Sequence, residues 1–242
     1  MNAIDIAVLI VFALGILRGY YRGFLRSVIQ LLSLFVSGLL GMLLGPLLRG
    51  AIFSTQWFEA LRYYIDGAEY IGNNMELARM PVADLTAAQT QEVLAQNSLP
   101  YPLPRLLQQN LVTEAFATQG YHTVTDTITE TILRFSLNIL CFLIVFLLIR
   151  ALVAAFVISY DKIVGLPILR HHDALIGAGF GLVEAFFLLF IIATLIPVLL
   201  TAIQQMGASN LINVKISTFL QESNLITFFY QSNFLLPMFS GI

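Results

Sequence analysis

A short basic segment between two long apolar runs is the feature that most constrains how this chain can fold. The segment carries three arginines in nine residues and separates the apolar run Ile4–Leu17 from the apolar run Val28–Leu48. Basic residues between two such runs are typical of the cytoplasmic turn of a membrane hairpin. The predicted cytoplasmic anchor consists of Arg18, Arg22, Gly23 and Arg26. The segment therefore predicts both a membrane protein and its orientation.

The composition supports a membrane protein and argues against several other classes. Hydrophobic residues make up 58% of the chain and charged residues 11%, whereas soluble domains carry about 25% charged residues. The net charge of -2 gives no basis for a nucleic-acid partner, which would require a clustered basic face. The single cysteine, Cys141, cannot form an internal disulfide or a cysteine-based metal site.

Two further apolar runs, Ile132–Ile158 and Ala174–Ile203, lie in the second half of the chain. A membrane-spanning helix needs about 20 apolar residues, and neither run alternates with the period of two expected of a barrel strand. The sequence therefore predicts an all-α integral membrane protein with four transmembrane helices. Pro197 predicts a break in the last run, because proline removes a helical hydrogen bond.

Basic residues near the helix ends predict how the rest of the chain is arranged. The connector 159–173 contains Lys162 and Arg170 and is expected in the cytoplasm. Both termini are then expected outside. The predicted regions are a transmembrane hairpin at 1–49, an extracytoplasmic helical insertion at 50–131, transmembrane helices three and four at 132–203, and an amphipathic extracytoplasmic tail at 204–242.

Capping residues and helical spacing predict short helices outside the membrane. Within the insertion we expect a helix after Ser54 or Thr55, a second over Asp84–Asn97, and a third opened by Pro104. In the tail we expect helices after Ser209–Asn210 and Ser223–Asn224. Two placements of these tail helices stay open at this point: the membrane interface, and the surface of the insertion.

Three stretches of the chain resemble the colicin V production protein (CvpA) family. They are Arg22-Gly23-Phe24-x-Arg26 before an apolar run, Leu175-Ile176-Gly177-x-x-x-Gly181 in the fourth segment, and the closing segment 228–237. The resemblance covers 1–48 and 133–200 well, whereas the insertion is not part of the short family members. It implies a small protein of the bacterial cytoplasmic (inner) membrane, linked to toxin or bacteriocin production or secretion and to envelope homeostasis. No enzymatic activity is established for the family, and the resemblance supplies no catalytic site.

Glycines spaced four residues apart predict close helix packing. Gly177 and Gly181 form such a pair in segment four, and the predicted complementary face in segment two consists of Gly38, Gly41 and Gly45. The simplest expectation is contact between segments two and four within one subunit. An interface between subunits is the alternative.

Glu184 lies near the middle of the fourth segment, where a carboxylate is a functional hypothesis by default. It departs from the family, which often has Lys or Arg at this position. Two interpretations stay open: a proton or cation site, and a structural partner of Arg150, Asn138, Ser33 or Thr194. Arg150 itself is interpreted as snorkelling to the cytoplasmic headgroups, with a buried ion pair as the alternative.

No catalytic motif, cofactor site or metal site is predicted. The sequence lacks the motifs of a nucleophilic serine, a zinc protease or a phosphate-binding loop, and the adjacent pair His171-His172 is interpreted as an interfacial pair. Two function classes follow. The first is a non-enzymatic membrane protein that supports toxin export and envelope integrity. The second is an oligomeric channel or transporter that uses Glu184. The expected partners are the lipid bilayer, other copies of the chain, or an envelope or secretion protein.

Overall fold

The computed structural model describes residues 2–71, 74–97, 99–160, 173–205 and 222–240, which form helices and their connections. The helices are α1 (Ala3–Phe53), α2 (Gln56–Tyr64), α3 (Met75–Arg79), α4 (Ala87–Gln96), α5 (Leu103–Val112), α6 (Val124–Tyr160), α7 (Asp173–Ala193), α8 (Ile196–Gln205) and α9 (Asn224–Gln231). The chain divides into two compact units. The first comprises 1–49, 140–194 and 217–233, and the second comprises 50–139, 195–216 and 234–242.

Helix α1 bends sharply at Gly23. This residue has φ 76° and ψ 177°, a conformation that is essentially restricted to glycine. Ser27 Oγ lies 3.4 Å from the Gly19 carbonyl oxygen, although eight residues of straight helix would separate them by about 12 Å. The helix therefore consists of a first arm (residues 3–22) and a second arm (residues 24–53).

Three helices in the described part of the chain are long and apolar enough to cross a membrane: Ala3–Phe53, Val124–Phe156 and Asp173–Ile203. The first two predicted segments are the two arms of α1, so the four predicted segments correspond to three helices. The predicted break near Pro197 is confirmed, because α7 ends at Ala193 and α8 begins at Ile196.

In the first unit, the first arm of α1 packs against α7 through glycines on both helices. A Cβ atom built on Gly19 would lie 2.2 Å from the Gly177 carbonyl oxygen, and one built on Gly181 would lie 2.2 Å from the Gly15 carbonyl oxygen. These distances show that the two backbones touch, which only glycine permits. We call Gly15, Gly19, Gly177 and Gly181 the glycine seam.

The predicted partner of Gly177 and Gly181 was therefore wrong. Gly41 and Gly45 pack on Phe142 of α6, and a Cβ atom on Gly38 would meet nothing within 4 Å. Segment two does contact segment four, but through an aromatic pair, Phe35 and Phe187, whose ring centroids are 4.8 Å apart. The bend at Gly23 is the reason, because it turns the first arm and not the glycine face of the second arm onto α7.

The helices expected in the insertion are present in the second unit. Helix α2 follows Thr55 as predicted, and α4 begins at Ala87, three residues later than expected, because Thr86 and Gln89 form a capping box there. Pro104 lies at the start of α5. The core near the start of this unit contains Phe58 of α2 with two leucines of α6, Leu133 and Leu137.

In the tail, α9 begins after Ser223, whose hydroxyl accepts a hydrogen bond from the Ile226 amide, as the sequence predicted. Its aromatic residues pack on membrane-length helices of the first unit: Phe229 lies 5.0 Å from Phe190 and 6.2 Å from Phe12, measured between ring centroids. The two placements expected from the sequence stay predictions for this helix. The other predicted tail helix and the pair His171-His172 lie outside the described residues.

Candidate intramembrane polar site

A charged pair lies in the first unit between largely apolar stretches of α6 and α7. Arg150 of α6 forms an ion pair with Glu184 of α7 through its Nη2 atom. Its Nη1 atom donates to the Gln30 carbonyl oxygen at 2.7 Å and to Ser33 Oγ at 3.0 Å. One arginine therefore connects α6, α7 and the second arm of α1. We call Arg150, Glu184, Gln30 and Ser33 the polar site.

The polar site lies deep within its helices and is largely closed. Glu184 is 11 residues from the start of α7 at Asp173, a rise of about 16 Å. The side chains of Arg150 and Glu184 are 21% and 13% exposed. The interpretation that Arg150 snorkels to the headgroups was wrong, because its guanidinium is held by Glu184 and by the second arm of α1.

Arg22, from the predicted cytoplasmic anchor, is connected to the polar site. Its Nη1 atom donates to the side-chain oxygen of Gln30, and its charge interacts with those of Glu184 and Arg150. Arg18 and Arg26, the other two anchor arginines, are exposed. The guanidinium groups of Arg150 and Arg22 and the carboxylate of Glu184 therefore lie in or beside the site. The Arg22 guanidinium is bound by the side-chain amide oxygen of Gln30.

Two aromatic pairs pack around the polar site where α7 meets α1. Phe24 and Phe180 have ring centroids 5.5 Å apart, and Phe35 and Phe187 form an edge-to-face pair. Residues 180, 184 and 187 lie on one side of α7, because residues three and four apart share a helix face. The charged pair is therefore flanked along α7 by packed rings.

Gly23, another residue of the predicted anchor, is required by the local backbone. The Phe24 amide donates to Asp173 Oδ1 at 2.8 Å, so the first residue of α7 caps the second arm of α1. A Cβ atom on Gly23 would lie 2.2 Å from Asp173 Oδ2. The anchor therefore fixes the bend by a hydrogen bond between α1 and α7, in addition to any contact with lipid.

Asp5, near the start of α1, is a buried structural residue. It is 6% exposed and accepts hydrogen bonds from the Ser223 hydroxyl at 2.6 Å and the Leu225 amide at 3.3 Å. These donors belong to the first turn of α9 and to the residue that caps it. Asp5 therefore attaches the tail helix to the start of α1.

Three features of the structure were not anticipated from the sequence. Gly15, Gly19 and Gly23 are four residues apart, and this spacing is the signal that could have identified the glycine seam. Glu130 is completely buried between Arg62, whose Nε lies 3.1 Å from Oε1, and Arg134, whose Nε lies 2.9 Å from Oε2. Gln30 carries no motif, and only the fold brings it to Arg150, whereas Ser33, expected as a partner of Glu184, accepts a hydrogen bond from Arg150.

The arrangement supports charge compensation and helix attachment. The described residues contain no group of three or more His, Cys, Asp or Glu side chains placed to hold a metal ion. The Arg150 guanidinium pairs with the Glu184 carboxylate and also donates a hydrogen bond to the Ser33 hydroxyl. An ion pair with additional hydrogen bonds is the form in which charged side chains are tolerated away from water.

The comparison with known families agrees with the residues that form the bend. Residues 4–68 match the family model described as colicin V production protein. The resemblance predicted from Arg22-Gly23-Phe24-x-Arg26 is thereby confirmed. The match covers about a quarter of the chain and continues past the predicted boundary at residue 49 to include α2. No curated protein matches the chain, and no solved structure matches it.

Proposed function

We propose that this chain is a multi-pass inner-membrane protein of the colicin V production type, which supports toxin or bacteriocin production or secretion and envelope homeostasis without catalysing a reaction. The family match at 4–68 and the three helices of membrane-crossing length support this assignment. The observation that favours a scaffold over a channel is the closed pair of Arg150 and Glu184. A carboxylate that serves an ion path must be free to exchange its cation, whereas this one is held by a guanidinium.

The topology belongs to the proposal. Each arm of α1 crosses the membrane once, since 20 residues of helix span about 30 Å, the thickness of the hydrocarbon core. Helices α6 and α7 supply the other two crossings. The bend at Gly23 then faces the cytoplasm with the arginines around it, and the insertion and both termini lie outside.

Cysteine labelling in intact cells tests this orientation. Cys141 is changed to Ser, and Gln91, an exposed residue of α4, is changed to Cys. A membrane-impermeant maleimide should label Gln91→Cys in intact cells, and Arg26→Cys only after the inner membrane is opened. The reverse pattern would reject the orientation.

Complementation of a toxin-secretion or envelope-stress defect tests the scaffold role of the polar site. Glu184→Leu should lower both protein level and complementation, because it leaves the Arg150 guanidinium without its carboxylate. The exchanged variant Arg150→Glu/Glu184→Arg should recover part of both, since it restores a pair between the same two helices. Glu92→Gln, on the exposed surface of α4, is the matched control and should behave as the parent.

The channel alternative predicts a different pattern in the same variants. If Glu184 carried protons or cations, Glu184→Gln would keep the normal protein level but lose complementation, and purified protein in vesicles would conduct ions only with Glu184 present. A structural role predicts near-normal complementation by Glu184→Gln, whose amide oxygen still accepts from Arg150. Conduction that depends on Glu184 would reject the scaffold proposal.

A further inference from the structure

Helix α2 carries an exposed aromatic face. Trp57 is 76% exposed, Leu61 41%, Tyr63 89% and Tyr64 76%. At about 100° per residue, these four side chains and Ala60 occupy an arc of about 160° on one side of the helix. We call Trp57, Leu61, Tyr63 and Tyr64 the aromatic face.

The opposite side of α2 is seated on two membrane-length helices. Phe58 is buried against Leu133 and Leu137 of α6 and packs with Ile52 and Phe53 from the last turn of α1. The rings of Phe53 and Phe58 have centroids 4.6 Å apart. Helix α2 begins only three residues after α1 ends, so it is held where one membrane-length helix stops and beside another.

The charge on α2 is directed away from the aromatic face. Arg62 lies on the packed side, where its Nη2 atom is 3.1 Å from Asp126 Oδ1 and its guanidinium lies 4.1 Å from the ring centroid of Tyr121. Glu59 is exposed at the margin of the arc. Gln56, the first residue of the helix, is exposed within the same arc. Apart from its amide, the aromatic face is apolar over its body, with polar groups at the indole N–H and the two hydroxyls.

We propose that the aromatic face lies in the interfacial layer of the lipid bilayer, against the glycerol and headgroup region of phospholipids. Trp and Tyr are enriched at this depth because their rings are apolar and their tips form hydrogen bonds. The position of α2 beside the end of α1 and on α6 brings the face to the level where apolar helices leave the hydrocarbon. The partner of α2 is thus lipid, and the helix anchors the start of the insertion to the membrane surface.

The only tryptophan of the chain, Trp57, makes this inference directly measurable. The full-length protein is reconstituted into phosphatidylcholine–phosphatidylglycerol vesicles that contain lipids brominated either near the headgroup end or near the end of the acyl chain. We expect the shallow bromolipid to quench Trp57 emission strongly, the deep one weakly, and aqueous acrylamide little. The control is Trp57→Phe/Gln91→Trp, which moves the probe to the exposed polar surface of α4 and should respond to acrylamide but not to bromolipid.

Three results would overturn the proposal. Quenching of Trp57 by acrylamide to the extent seen for Gln91→Trp would place the face in water. Protection from both quenchers that persists when the protein is diluted into excess lipid would place it inside the protein or on a tightly held partner. Protection that is lost on dilution would assign it to an interface between copies of the chain.

Discussion

Substitution of Gly19 by alanine is the sharpest test of the glycine seam. The added Cβ atom would lie 2.2 Å from the Gly177 carbonyl oxygen and 2.9 Å from its carbon. Both atoms belong to backbone, so no side chain can rotate to make room. The first arm of α1 and α7 must separate by about 1 Å to restore an ordinary contact near 3.2 Å.

That separation sets the size of the effect. An added gap of about 1 Å forfeits up to half of a contact energy of about 0.15 kcal/mol per atom pair. With roughly 40 atom pairs across the seam, the number that one buried leucine makes, the loss is about 3 kcal/mol. This value lies at the upper end of the usual range of about 1–3 kcal/mol for overpacked sites. It corresponds to roughly a hundredfold fall in the ratio of folded to unfolded protein.

Unfolding in mixed detergent micelles, followed by circular dichroism, measures this loss. The matched controls are Gly38→Ala and Gly179→Ala, because a Cβ atom at either position would meet nothing within 4 Å. They should be neutral or slightly stabilising, since glycine inside a helix is less stable than alanine by about 0.5–1 kcal/mol. Gly15 is not a valid control, because its Cβ atom would lie 2.7 Å from the Gly181 carbonyl oxygen. Equal stability of Gly19→Ala and Gly38→Ala would refute the seam.

Three further predictions concern the bend, the buried carboxylate and a buried tyrosine. Gly23→Ala should lower thermal stability more than Asp173→Asn, because the added Cβ atom collides with Asp173 and is strained at φ 76°; equal losses would contradict this. Glu130→Leu should cost about 3–5 kcal/mol, because it leaves Arg134 without its carboxylate and Arg62 with Asp126 alone, whereas exposed Glu92→Leu should cost almost nothing in the same unfolding assay. Burial raises the pKa of Tyr70 above its usual 10.0, although Gln205 offsets part of the shift, so the protein should lose stability as pH rises above about 10 and Tyr70→Phe should reduce that loss.

The sign of the alkaline effect follows from the direction of the shift. The folded state binds the Tyr70 proton more tightly than the unfolded state does, because the phenolate would be buried. The free energy of unfolding therefore falls as pH rises from the pKa of Tyr70 in the unfolded chain to its higher pKa in the folded protein. In an alkaline absorbance titration, the folded parent and the folded Tyr70→Phe variant should ionise equal numbers of tyrosines near pH 10, and the parent should ionise one more at higher pH. An additional tyrosine that ionises near pH 10 in the parent would contradict the assignment.

Local features were readable from the sequence because their causes are local. Ser223 caps α9 through its hydroxyl, for the reason that predicted it. Thr55 precedes α2 as predicted, but its hydroxyl donates to the Ile52 carbonyl oxygen and does not cap the helix. The long apolar runs predicted the membrane-length helices in the same way. Pro197 marked the break before α8, because proline disrupts the helix within one turn on its N-terminal side.

The partners of these helices could not be read in the same way, because they depend on one backbone conformation. The unusual φ of Gly23 decides which face of α1 meets α7, and a sequence does not state whether a glycine adopts it. The spacing of Gly15, Gly19 and Gly23 was nevertheless a signal for a second glycine face. The pair of Glu130 with Arg134 follows the four-residue rule for helices, whereas Arg62 joins it across 68 positions of sequence and could not be foreseen.

The two features that distinguish the first unit lie on a single helix. Helix α7 presents Gly177 and Gly181 to the first arm of α1, and Glu184 to Arg150 of α6. A helix that carries a close backbone contact on one face has little freedom to rotate or slide, so the glycine seam also fixes the position of the carboxylate. Since a hydrogen-bonded ion pair tolerates only small changes of distance, the seam and the pair are expected to act as one structural unit. An unpaired charge within a bilayer would be costly. The close packing of α7 on α1 holds the Glu184 carboxylate beside the Arg150 guanidinium, so that this charge is paired.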